Sequence, residues 1–172
     1  MPEAERQGSG WRGGLFLIIA AFVVALDQIS KLWVSSHLGL YETIPLVGCL
    51  SLTHVRNTGS AFGLFANQAF LLTLVAIVGL VVILLLYRYL SKFSILGVLA
   101  LGLVFGGALG NLIDRLRFGY VTDFIDVRLW GDFHWPTFNI ADSAITVGSI
   151  VLAVFIFLTF RKEGGRAPGA GS

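Results

Sequence analysis

Four apolar runs, each near the length that crosses a bilayer, constrain this chain more than any other feature. A hydrocarbon layer about 30 Å thick takes roughly 20 helical residues to span. The runs are Leu15 to Leu26, Ala69 to Leu86, Phe93 to Ile113 and Phe138 to Phe160. The first reaches spanning length only if Asp27, Gln28, Ser30 and Lys31 lie in its outer end. A soluble core is excluded, because 56% of the 172 residues are hydrophobic and only 13% charged, with a mean hydropathy of +0.83. That leaves too little polar surface for water to wet. The expected fold class is an all-α membrane protein with four transmembrane helices.

A secretory signal is the competing account of the first run, since Arg6 and Arg12 precede twelve apolar residues. No small-x-small cleavage pattern follows Leu26, and a charged helical continuation does, so we read a span. Basic residues flank the runs at Arg6 and Arg12, Arg88 and Lys92, and Arg161, Lys162 and Arg166. By the positive-inside rule both termini are expected to be cytoplasmic. The net charge of +2 then reports topology and not a nucleic-acid footprint. The expected organisation is a mobile tail over 1–14, one four-span domain over 15–162, and a second mobile tail over 163–172, with outer loops at about 35–68 and 116–137. Leu50 to Val55 partly alternates, and Val121 to Trp130 is rich in strand formers before Gly131-Asp132. These loops should form a small β-rich element on the outer surface. Trp130, Phe133 and Trp135 suit the aromatic belt at that interface.

Ionisable groups bordering hydrocarbon are costly and usually mark a site. Asp123 and Asp142 stand nineteen positions apart, one after the third run and one entering the fourth, so a short loop returns them to one depth. Asn139, Asp142, Thr146 and Ser149 make one polar stripe on a helix, which should face protein. Gly102, Gly106, Gly110 and Asp114 recur every fourth residue, with Gly107, Asn111 and Arg115 as the neighbouring row. Such rows let another backbone come close in a membrane. Asp27 and Lys31 share a helical face in the favourable order for a pair, which serves either charge neutralisation or a site.

Two carboxyls within about 3 Å cannot both ionise easily, so one keeps a proton while the other acts as a base. Such a pair can activate water and protonate a leaving amine without a metal or a nucleophilic side chain. A structural ion pair for either Asp stays open on spacing alone. Arg115 can fork onto a carbonyl or lipid oxygen, or pair with Asp114. Asn139 can orient Asp142 or donate to an oxyanion, Asn111 lies one turn before Arg115, and Asn57 sits in a loop that can close over a substrate. Asp126, three residues past Asp123, points to the other face of a strand. A proton-coupled carrier, a non-catalytic scaffold and a presenilin-like protease are the rival classes, although the Gly-x-Gly-Asp pattern of the last is absent.

Five blocks in order, Asp27-Gln28-Ile29-Ser30-Lys31, Arg56-Asn57-Thr58-Gly59-Ser60-Ala61-Phe62, Gly110-Asn111-Leu112-Ile113-Asp114-Arg115, Val121-Thr122-Asp123-Phe124 and Phe138-Asn139-Ile140-Ala141-Asp142-Ser143, resemble the bacterial lipoprotein signal peptidases, or type II signal peptidases. The resemblance runs from about Leu15 to Phe160. It implies an intramembrane aspartic endopeptidase of the bacterial inner membrane that removes signal peptides from diacylglyceryl-modified prolipoproteins, cutting before the lipidated cysteine. It further implies Asp123 and Asp142 as the catalytic dyad, with Asn57, Asn111, Arg115, Asn139, Asp27 and Lys31 binding substrate or supporting the site. No metal, cofactor or nucleic-acid partner is expected, and a monomer is.

Leu46-Val47-Gly48-Cys49 itself looks like the lipobox that such enzymes cleave, but an entire loop separates it from the first run. Cys49, the single cysteine, is read as a packed or partly exposed thiol. His37, His54 and His134 lack the H-E-x-x-H spacing of a metalloprotease.

Overall fold

Helix α3 (Ile95–Phe118) is the element around which the others are arranged. The protein is seen in a computed structural model that describes residues 3–59, 69–91 and 94–164. Ser60, Ala61 and Phe62 of the second block, together with Lys92, Arg166 and most of the expected C-terminal tail, lie outside the described residues. Ser94 caps α3 by accepting from the Leu96 N–H at 3.1 Å. Gly119 ends it in the left-handed region at φ 76°, with its N–H donating to the Arg115 carbonyl at 3.0 Å.

The two small-residue rows of α3 face two different helices. A Cβ at Gly106 would stand 2.8 Å from the Ala20 carbonyl oxygen, so that row lies against α1 (Glu3–His37). A Cβ at Gly107 would run into the Ala141 carbonyl of α4 (Ile140–Gly164). From the other side, a Cβ at Gly148 of α4 would stand 2.7 Å from the Ala100 carbonyl oxygen. Close backbone approach on both faces replaces large-residue packing as the adhesive. Helix α2 (Ala69–Leu90) joins through Ile83, which meets Phe16, Val98 and Leu101. Only 6% of its apolar window is buried, so most of its surface is left for lipid. All four helices are long and apolar enough to span a membrane, and α1 continues upstream through residues 3–14, which the sequence set apart as a tail.

The segments between α1 and α2 and between α3 and α4 build one antiparallel sheet in the order β1-β2-β3-β4. Its strands are β1 (Thr43–Val47), β2 (Leu50–Asn57), β3 (Val121–Trp130) and β4 (Phe133–Phe138). The two central strands are those anticipated from composition. The edge strands carry Pro45 and Pro136, which an edge tolerates because one side needs no ladder donor. β2 and β3 pair Asn57 with Val121 and Val55 with Asp123. That register brings the end of β2 beside the start of β3, close to the helix ends.

Gly106→Val should therefore force α1 from α3 and destabilise the protein by about 1–3 kcal/mol. Gly79→Ala, where a Cβ would meet nothing within 4 Å, should leave the thermal midpoint in detergent unchanged. Equal midpoints for the two variants would remove the close-approach account.

Candidate active site

The start of α4 fixes one carboxyl through its own cap. Asn139 stands one residue before the helix, at the N-cap, and not inside it as the polar stripe suggested. Its Oδ1 accepts from the Asp142 N–H at 2.9 Å, while Asp142 Oδ2 accepts from the Asn139 N–H at 3.3 Å. This reciprocal pair is a capping box built from Asn-x-x-Asp. It satisfies helix N–H groups and at the same time sets the Asp142 rotamer. Asn111 of α3 donates to the remaining oxygen, Oδ1, at 2.7 Å.

Strand β3 supplies the second carboxyl. Asp123 is 1% exposed, and its two oxygens accept from Asn57 Nδ2 at 2.8 Å and from Asn139 Nδ2 at 2.7 Å. Asn139 thus touches both aspartates, one through its side-chain amide and the other through its backbone. Burial first, and then the charge of Asp142, push the Asp123 carboxyl up to about 7, against the pull of Asn57, Asn139 and Lys31. A carboxyl so placed holds a proton near neutral pH, as a general acid needs.

Amide orientations follow from the donors around them. Asn111 Oδ1 accepts from Lys31 Nζ at 2.9 Å and from Asn139 Nδ2 at 3.1 Å. With two donors on its oxygen, its nitrogen must face Asp142. Lys31 also pairs with Asp27 at 2.8 Å and with Asp114 at 3.1 Å. The three charged groups are 4%, 0% and 2% exposed respectively. The Asp27–Lys31 pair is therefore a buried junction that reaches the site through Asn111.

Both aspartates line a cavity of about 710 Å³, as do Asn57, Asn111 and Arg115. Leu72 and Val75 of α2 and Val147 of α4 give it apolar walls, and Trp135, Pro136 and Phe138 of β4 add another. A few polar groups in an otherwise apolar cavity of this size suit a ligand that is mostly hydrocarbon. The Arg115 guanidinium faces the charges of Asp142, Asp123 and Asp114.

Six of the eight residues singled out from sequence thus meet around the two carboxyls, and Asp27 and Lys31 stand behind them. Asp114 pairs with Lys31 and not with Arg115, which overturns the alternative role considered for Arg115. Gln28, whose Nε2 donates to Asp114 Oδ1 at 2.9 Å, and Asp114 were missed as members of the junction. Their signal was membership of the first and third blocks. Thr146 lines the cavity, but Ser149 is exposed, so the polar stripe faces protein only at its first turns. Trp135, assigned to the interfacial belt, also lines the cavity. Asp126 turns to Thr53 Oγ1 at 2.9 Å and His134 Nδ1 at 2.6 Å, away from the pair. Cys49 is exposed in the β1–β2 turn.

Comparison with known proteins gives a consistent result. The family model described as Signal peptidase (SPase) II matches residues 19–158. A lipoprotein signal peptidase of Moorella thermoacetica is 45% identical over 150 residues, covering 87% of this chain and 97% of the relative. That of Geobacter sulfurreducens is 43% identical over 158 residues, covering 90% and 96%. A bacterial membrane enzyme solved in meso superposes with a TM-score of 0.76 at 29% identity, covering 92% of this chain and 95% of that one.

Asn139→Ala should remove the cap acceptor of the Asp142 N–H and leave the buried Asp123 Oδ1 without its amide donor. The expected loss is about 1–3 kcal/mol, read as a lower thermal midpoint in detergent than that of Ser143→Ala, whose hydroxyl only donates back to the Asn139 carbonyl.

Proposed function

Because this chain belongs to the signal peptidase II family, we propose that it removes signal peptides from diacylglyceryl-modified prolipoproteins with Asp123 and Asp142 as an aspartic dyad. The observation that carries the reading is that Asn139 ties together both carboxyls, which line one apolar-walled cavity. The family is one of proteases, and the relatives named above are lipoprotein signal peptidases. The working unit is the four-span domain over 15–162, acting as a monomer without a cofactor.

The pair shares one proton at neutral pH. The ionised carboxylate takes a proton from a water molecule as its oxygen bonds to the scissile carbonyl carbon. The protonated partner gives its proton to the carbonyl oxygen. When the tetrahedral species collapses, the C–N bond breaks and the amine nitrogen takes the proton held by the first carboxyl. The re-forming carbonyl returns the other proton, which leaves the pair as it began. Asn57, Asn111 and Asn139 hold the carboxyl oxygens throughout, and Arg115 is placed to fork onto a substrate oxygen.

Depth explains why the substrate carries lipid. Each buried methylene is worth about 0.8 kcal/mol, so two acyl chains keep the modified cysteine at the bilayer. The apolar wall of Leu72, Val75 and Val147 lines the same cavity as the carboxyls, which suits those chains. Arg12 bonds the Ser91 carbonyl at the α2–α3 turn, so the basic residues there gather at the helix ends away from the sheet. By the positive-inside rule this supports termini on the cytoplasmic side of the bacterial inner membrane, with the cavity mouth toward the outer face.

Purified protein in detergent should release a signal peptide from a diacylglyceryl-modified prolipoprotein. Asp123→Asn and Asp142→Asn should each lose about 10²–10⁴-fold in rate, while Asp126→Asn keeps it. Near wild-type cleavage by either dyad variant would end the assignment. The sign of the pH dependence follows from the raised Asp123 carboxyl. Its proton is present below about 7 and lost above it, so kcat/KM should fall as pH rises through that value. A rate that keeps rising well beyond it would contradict a singly protonated pair.

A further inference from the structure

Two peptide N–H groups lie immediately ahead of the paired aspartates, and each ends on a carboxylate from a different helix. The Ala141 N–H, one residue before Asp142, donates to Asp27 Oδ1 of α1 at 2.9 Å. The Thr122 N–H, one residue before Asp123, donates to Asp114 Oδ2 of α3 at 3.0 Å. Lys31 then joins the two carboxylates, 2.8 Å from Asp27 and 3.1 Å from Asp114. Gln28 Nε2 makes a second link, 3.2 Å from Asp27 Oδ2 and 2.9 Å from Asp114 Oδ1. None of these four side chains lines the cavity.

We propose that Asp27, Lys31 and Asp114 form a clamp behind the site that sets the separation of the Asp123 and Asp142 carboxyls by holding the backbone one residue ahead of each. The proposal rests on the dyad reading above and deepens it. The two carboxyls repel one another whenever both are charged, and that repulsion pushes the start of β3 away from the start of α4. A restraint against it must grip both backbones, and this one does so at the nearest available donors. Lys31 has three ammonium protons and three acceptors, Asp27, Asp114 and Asn111, so the same cation that closes the clamp also orients the amide on Asp142. Packing alone would not favour the arrangement, because buried ion pairs are often no more stabilising than apolar side chains of the same volume. These are positioning residues, since they act through the peptide bonds they hold.

The test uses full-length protein in detergent with lipidated prolipoprotein. Asp114→Leu removes the acceptor for Thr122, whereas Asp114→Asn keeps an oxygen for it. A carboxyl displaced by about 1 Å loses on the order of a hundredfold in kcat. We expect that loss in Asp114→Leu with KM unchanged, since the cavity wall is intact, and recovery of most of it in Asp114→Asn. The pH profile supplies the readout that mere destabilisation would not move. Asp123 is faced by Asp142 from α4, Lys31 from α1, Arg115 from α3, and the Asn57 and Asn139 amides. With the pair further apart, Asp142 raises Asp123 less, and the alkaline fall in rate moves to lower pH. The position of that fall does not depend on how much protein is folded, so a poorly folding variant still reports. Asp27→Leu tests the second tether, through Ala141, with the same expectation. Unchanged kcat in both Leu variants, or lost activity with the alkaline limb unmoved, overturns the clamp. Asp123→Asn and Asp142→Asn run alongside: if they cleave at the wild-type rate, it is the dyad reading that fails.

Discussion

Close approach of α3 to its two neighbours is the constraint on which the rest depends. A helix pair packed through large side chains holds its axes 8–10 Å apart or more, with short polar groups out of reach of one another. Gly106 against Ala20 and Gly107 against Ala141 remove that spacing. Only then can Asp27 on α1 and Asn111 on α3 bond the first turn of α4 directly, and Lys31 join Asp27, Asn111 and Asp114. Gly110 shows the dependence directly, because a Cβ there would stand 2.6 Å from Asp27 Oδ2. The glycine rows are thus as much a part of the site as its charged residues.

A second constraint is that polar groups withdrawn from water must be paired. Asp27 and Asp114 exhaust the charge of Lys31, and the Asn139 and Asn111 amides leave few donors free. That cluster still carries two carboxylates against one ammonium, and the Asp123–Asp142 pair beside it is held by amide donors, with no cation in contact among the described residues. Arg115 lies near enough to act on both electrostatically. Neutral donors hold a carboxylate in place without fixing its charge, and a pair that must exchange one proton requires that freedom.

The four spans were legible because apolar run length is a direct physical requirement of the bilayer. The helix-facing rows were legible too, because Gly102, Gly106 and Gly110 repeat at the helical period while Gly107, Asn111 and Arg115 define a second direction. The role of Asn139 was only half legible: spacing put it near Asp142, but a cap and an interior position look alike until the helix start is known. The third member of the buried ion cluster could not be read, since Asp114 meets Lys31 from a distant segment and its neighbour Arg115 offered a simpler local partner. The edge strands escaped for a different reason. β1 is exposed along its whole length, so it has no alternation to betray it, and β4 contains Pro136.

The sheet explains why this site is not made of helices alone. A carboxyl on a helix can be turned only in steps of the helical period, and a partner on a neighbouring helix must match its depth. Strand pairing relaxes that demand. The β2–β3 register places Asn57 opposite Val121, two residues before Asp123, so a donor from one outer segment reaches a carboxyl from the other. β4 then runs back along β3, pairing Phe138 with Ile125, and delivers the chain to the Asn139 cap beside Asp123. One antiparallel return therefore does what helix packing cannot. It brings a strand residue and the first turn of a helix to the same point, with the amide between them already bonded to both.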